Sequence, residues 1–236
     1  MRNIKFLTLI FAIFIANQSM GQQETSITNY WSHMNLINPA YAGSDNMVSF
    51  KSTLRNQWAG ISESPVTQMA SFSKPFGDKV GLGLSIVNDK VFVENSTYIG
   101  IDFSYKLRLS EKALLIFGLK AAGNFYSVNS SSVYTIGANG VNTFDPSLFN
   151  IDQFDPNIGL GFLLKRDEWF LSVSVPRMLS TERAAVESNG VGIATTVGTS
   201  KPHLYVSSGY KFDLKNPKWA LTPSFLLRNV KDVPVA

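Results

Sequence analysis

The sequence predicts an all-β protein, an antiparallel transmembrane β-barrel with about nine or ten strands visible in this chain. Three observations carry that reading. The first is Thr97–Leu109 (TYIGIDFSYKLRL), where Thr97, Ile99, Ile101, Phe103, Tyr105, Leu107 and Leu109 alternate with Tyr98, Gly100, Asp102, Ser104, Lys106 and Arg108. Side chains on a strand alternate faces with a period of two, so this stretch has one apolar and one polar face. Its length suits a tilted strand crossing a bilayer, which needs about 9–11 residues, better than a soluble strand of about 5–6. The second is composition: charged residues make up 16%, aromatics reach 12%, and the mean hydropathy is +0.04. Alternation hides a barrel from hydropathy scans in this way, because no strand is a continuous apolar run. The third is an export signal at the N-terminus.

In that signal, Arg2 and Lys5 precede an apolar run from Phe6 to Ala16, and Ser19 and Gly21 place small residues before Gln22. The run is too short to span a membrane, and no cysteine follows it for lipid attachment. Residues 1–21 therefore read as a cleaved secretory signal peptide, and the destination as the outer membrane. Cleavage removes Arg2 and Lys5, two of the four net positive charges, leaving +2. So small a charge without a basic cluster excludes nucleic acid as a partner. The absence of cysteine removes disulfides, thiolate metal sites and cysteine nucleophiles together.

Residues 22–46 show no strand period. They carry Tyr30-Trp31-Ser32-His33-Met34-Asn35 and Asn38-Pro39-Ala40-Tyr41-Ala42-Gly43, aromatics followed by turn punctuation. Two readings stand: a plug or lid over one mouth of the barrel, or a dedicated docking peptide. The barrel proper is expected over 47–236. Its strands are predicted at Met47–Trp58, Pro65–Phe76, Val80–Asp89, Thr97–Leu109 and Ala113–Tyr126, joined by short turns as consecutive hairpins. Small residues at Gly81, Gly83 and Ser85 leave room on the inward face. Ser127 to Asp155, with its Phe-Asp-Pro triplets, and Leu179 to Ser200 read as long loops on the outer side. Asn157–Lys165 and Glu168–Pro176 form a further hairpin. Pro202–Leu214 and Lys218–Val230 follow, and a tenth strand begins at Val233. The even strand count usual in bacterial barrels, set against an ending at Ala236, predicts a chain that is short at its C-terminus.

Enzymatic chemistry is not expected. A His203–Ser207 pair on the outer face is the nearest approach to a hydrolase, but residues four apart on a strand lie roughly 13 Å apart, beyond hydrogen-bond reach. Asp145, Asp152 and Asp155 lack the spacing of a calcium loop and read as Asp-Pro turn initiators. The Gly81-Leu82-Gly83 and Gly159-Leu160-Gly161 runs precede no helix and are strand glycines, not phosphate loops. No cofactor or metal is implied. Arg55 and Trp58 either grip a partner or belong to an aromatic girdle.

The order and spacing of YWSHMN (30–35), NPAYAG (38–43), RNQWAGI (55–61) and PVT (65–67) resemble the PorP/SprF family of outer-membrane proteins. Asp155–Gly161 and Lys201-Pro202-His203 are similar too, so the resemblance covers essentially the whole mature chain. It implies a non-enzymatic barrel of about fourteen strands in the type IX secretion and gliding machinery of Bacteroidetes, embedded in outer-membrane lipid. Such a protein would assist export, capping or surface anchoring of secreted proteins that carry type IX C-terminal domains. Periplasmic secretion-system components would be its other partners. On the motif positions, Tyr30, Trp31, Asn38, Pro39, Tyr41, Arg55 and Trp58 are the expected partner-binding residues. The rival reading is a passive porin-like channel.

Overall fold

The structure, a computed structural model, describes residues 29–129, 134–136, 142–144, 150–185, 195–213 and 220–230. The expected signal peptide, Asp145 and the expected tenth strand at Val233 lie outside the described residues.

A short 3-10 turn (Tyr30–His33), one α-helical turn (Met34–Ile37) and a second 3-10 turn (Pro39–Tyr41) open the described chain. The strands follow in order: β1 (Ser49–Asn56), β2 (Val66–Phe76), β3 (Val80–Val91), β4 (Glu94–Ser110), β5 (Ala113–Val128), β6 (Tyr134–Ile136), β7 (Asn142–Phe144), β8 (Ile151–Arg166), β9 (Trp169–Val175), β10 (Thr181–Ala185), β11 (Thr195–Ser200), β12 (His203–Tyr210), β13 (Phe212–Asp213), β14 (Ala220–Leu221) and β15 (Ser224–Val230). Nine of them form one antiparallel sheet in the order β1-β2-β3-β4-β5-β8-β9-β12-β15. Three two-stranded ribbons, β6-β7, β10-β11 and β13-β14, sit in its connections. Among the described residues the sheet is not closed, and β1 and β15 are its edges. The class is all-β, as the alternation predicts.

That alternation is realised along the longest strands. On β4, Ile101 is 60% exposed while its neighbour Asp102 is fully buried. Phe103, Leu107, Phe117, Leu119, Ile158 and Phe162 continue the outward apolar face across β4, β5 and β8. The register sets Ile101 against Ala121, Phe103 against Leu119 and Phe117 against Phe162, so the outward side chains form continuous rows. In water such a face would be an aggregation hazard; against lipid tails it is matched. No helix among the described residues is long and apolar enough to cross a membrane.

Several boundaries differ from the sequence reading. β8 begins at Ile151, so Ile151–Asp155 belong to a strand and not to the loop. Pairing overrides the Asp-Pro turn signal: Phe154 faces Phe125 across the ladder with ring centroids 4.7 Å apart, and Asp155 turns inward, accepting a bond from Gln153 Nε2. The stretch 179–200 contains the β10-β11 hairpin, with a bulge between Arg183 and Ala184. The last two expected strands are each divided, into β12 with β13 and β14 with β15.

Candidate functional site: the segment seated on the inner face

Residues 30–46 lie on the inner face of the sheet. Their ends sit beside the short turns: Trp31 packs edge-on against Phe170 at 5.6 Å, and Asp45 pairs with Lys165 at 2.8 Å. Their apex, Leu36, reaches deep between the strands to pack with Met69 and Tyr98. His33 bonds β1 and β2 while Ile37 and Asn38 bond β8 and β9, so the segment bridges opposite parts of the sheet.

Small residues on the strands make this seat. One lateral row runs Gly81–Ser104–Gly118–Gly161–Ser174, each residue directly opposite the next. A Cβ at Gly81, Gly118 or Gly161 would collide with the carbonyl oxygen of Ala42, the amide of Ala40 or the side chain of Asn38, respectively. The sequence reading expected Gly81, with Gly83 and Ser85, to make room for neighbouring side chains; Gly81 and Gly118 instead make room for a backbone, and Gly161 for the side chain of Asn38.

An irregular backbone at membrane depth needs its polar groups satisfied. The strands supply the donors. Lys120 Nζ donates to Asn35 O at 2.9 Å, Ser174 Oγ to Ile37 O at 2.8 Å, and Ser104 Oγ to Ala42 O at 2.6 Å. Asn38 works from the other direction. Its Nδ2 donates to Phe162 O at 3.0 Å and Ser172 Oγ at 2.8 Å, while Oδ1 accepts from Ala40 N at 2.8 Å and caps the second 3-10 turn, with Pro39 at its start. His33 is fully buried, its Nδ1 2.8 Å from Ser71 Oγ and its Nε2 2.9 Å from Thr53 Oγ1. Burial, and then the charge of Lys51, lowers its pKa below the ordinary 6.5. The ring is therefore neutral at pH 7, one nitrogen donating and the other accepting.

Beneath the segment, Lys120 and Asp102 form an ion pair at 2.8 Å with both side chains fully buried. Lys106 reaches the side chain of Asn46. Burial pushes the carboxyl of Asp45 up, but Lys165 pulls it down and wins, leaving it below the ordinary 3.8. Burial also raises the Tyr41 phenol to about 12. Between the two limbs lies a cavity of about 420 Å³ lined by Trp31, Met34, Tyr41, Met47, Phe72 and Phe170 among others.

The seven residues expected to bind partners do not form one surface. Asn38 and Pro39 are buried against the sheet, and Tyr41 is partly so. Tyr30 and Trp31 stack at 5.3 Å at the short-turn end, with Trp31 40% exposed. Arg55 and Trp58 sit at the opposite end, where β1 turns into β2. Trp58 is largely exposed there and holds φ +56°, a conformation costly for a bulky side chain.

A family model described as type IX secretion system membrane protein PorP/SprF matches residues 19–235. The chain belongs to the PorP/SprF family. No curated protein and no solved structure matches it. Membership makes the chain a membrane protein of the type IX secretion system, a family of secretion-system components. The porin-like alternative finds no support in it.

The chemistry weighed from the sequence is also relocated. His203 and Ser207 lie on the inner face of β12, not on the outer one, because their outward neighbour Leu204 takes the lipid side. Asp152 is exposed while Asp155 is buried, so the strand divides the expected loop carboxylates between faces. Among the described residues no group of acidic, histidine or cysteine side chains is placed to hold a metal. Sequence reasoning missed Asp102, Lys120, Gly118 and Ser174. Opposite charges at inward positions of successive strands were the signal available for the first two.

Proposed function

We propose that this PorP/SprF member is a non-enzymatic outer-membrane protein, exported by cleavage after Gly21, that works through protein–protein contacts. It assists export, capping or surface anchoring of secreted proteins bearing type IX C-terminal domains, and it meets periplasmic secretion components at its short-turn end. The observation that carries this is the division of the aromatics. The inner face is occupied by residues 30–46, bonded to the strands, which disfavours a free aqueous path and leaves the two ends to act. Tyr30 and Trp31 are presented at one end, Arg55 and Trp58 at the other. Trp31 and Trp58 are exposed and Tyr30 and Arg55 half-buried, and aromatic and arginine side chains are typical anchors of interfaces. Long loops on barrels of this type face outward and short turns the periplasm, which assigns Trp58 to the secreted client and Trp31 to the periplasmic partner.

The test is mild detergent extraction and pull-down on this chain, with mass spectrometry. Recovery of a large surface protein with a type IX C-terminal domain, lost in Trp58→Ala, and of periplasmic components, lost in Trp31→Ala, is expected. Recovery of the chain alone, together with ion conductance in a planar bilayer, overturns the proposal.

A further inference from the structure

The interior is approached from its second end by another inturned piece of chain. After β9, residues 176–180 do not continue upward but fold back over β8. Asn157 holds them there. Its Oδ1 accepts from Met178 N at 2.8 Å and Leu179 N at 3.1 Å, and its Nδ2 donates to Leu179 O at 2.9 Å. Met178 N also donates to Ile158 O at 2.9 Å. Gly159 permits the approach, since a Cβ there would collide with Pro176 O.

Arg177 then projects over the ring of Tyr98, its guanidinium carbon 4.5 Å from the centroid. Tyr98 is buried, and it also packs against Leu36 at the apex of the seated segment. Lys120, which holds Asn35 O, lies 5.9 Å from that same ring. One aromatic side chain thus touches both inturned pieces, one from each end of the sheet.

We propose that residues 176–180 are a lid that seals the interior from the long-loop end, with Asn157 as its latch and Tyr98 as the surface on which lid and seated segment meet. The hydrogen bonds that hold Met178 and Leu179 all come from neighbouring residues of β8, Asn157 and Ile158, whereas the segment below is bonded to six strands, β1, β2, β4, β5, β8 and β9. The lid is therefore the part that opens first. This concerns the interior alone and holds whichever partner the exposed aromatics meet.

The chain has no cysteine, so a single introduced thiol is a clean reporter. Ala122 is half-buried on the inner face of β5 and packs against the Leu36–Met69–Tyr98 cluster. In the full chain reconstituted in lipid, Ala122→Cys is expected to react slowly with a water-soluble maleimide. Adding Asn157→Ala removes all the bonds from that side chain and is expected to speed labelling at least about tenfold. Asn157→Asp, which keeps the acceptor, falls between. Should Asn157→Ala fail to insert, Arg177→Gln removes the cation and leaves the latch bonds, and a several-fold rise is expected. Rates unchanged from the parent in the variant that inserts, or fast labelling already in the parent, overturn the proposal.

Discussion

The two faces of the same strands obey opposite rules. On β5, Leu119 points out and Lys120 points in; on β4, Phe103 points out and Asp102 points in, and the register sets each pair directly opposite. The outward pair needs only to be apolar, because lipid is a fluid that fits any shape. The inward pair must match in charge, distance and partner, because it is buried against a fixed backbone. The outer face is thus specified by residue class, and the inner face by individual atoms.

The largest effect expected from breaking this contrast is at the buried ion pair. Lys120→Met leaves Asp102 without its counter-charge and Asn35 O without its donor, a loss of about 3–5 kcal/mol. Combining it with Asp102→Leu should recover much of that loss, since an apolar pair of similar volume replaces an ionic one. Urea unfolding in lipid vesicles measures both. The mirror experiment is Leu119→Lys, one residue along, which puts a charge into the lipid band and costs about 2–4 kcal/mol near its midplane. If Lys120→Met proved harmless, the pair would be incidental to the seat of residues 30–46.

Next in size are the glycines of the seat. Gly118→Val forces either β5 or the segment at Ala40 to move, at a cost of about 1–3 kcal/mol. Ala121→Val, outward on the same strand, should stay within about 0.5 kcal/mol. Protease sensitivity of residues 30–46 in the folded protein reports the difference. Asn38→Ala follows, at about 1–3 kcal/mol for the acceptors and donor it orphans.

This asymmetry also explains what could be read from the sequence. The lipid-facing rows were legible because period-two alternation is local and lipid imposes it on every strand alike. The family was legible from the motif run between Tyr30 and Thr67. The seat was not, because its contacts are remote in sequence: Asn38 bonds Ser172, and Ser174 bonds Ile37. NPAYAG carries turn punctuation that says where the chain bends but not which strands receive it. The same limit left the seven expected partner-binding residues unplaced relative to one another, and strand direction puts Tyr30 and Trp31 at the opposite end from Arg55 and Trp58. Asp155-Pro156 misled for a related reason, since a turn preference was outweighed by pairing with β5.

The smallest effect expected is a titration, and it distinguishes the segment from the strands below it. His33 has a folded-state pKa below its ordinary 6.5 because burial and Lys51 disfavour the cation. The unfolded segment therefore binds more protons than the seated one in the window just below pH 6.5. Stability rises with pH wherever the unfolded state binds more protons, so the seat is at full strength above about 6.5 and weakens as pH falls through that window. The loss is limited, because an imidazolium can still donate to both Ser71 Oγ and Thr53 Oγ1, and only the acceptor role is forfeited. Protease cleavage within 30–46 should be faster at pH 5 than at pH 8, while the core of the sheet remains intact at both. His33→Gln keeps a donor and an acceptor without titrating near neutrality, and should flatten the profile. A profile that persists in that variant would move the titration to another group and leave His33 as a packing residue alone.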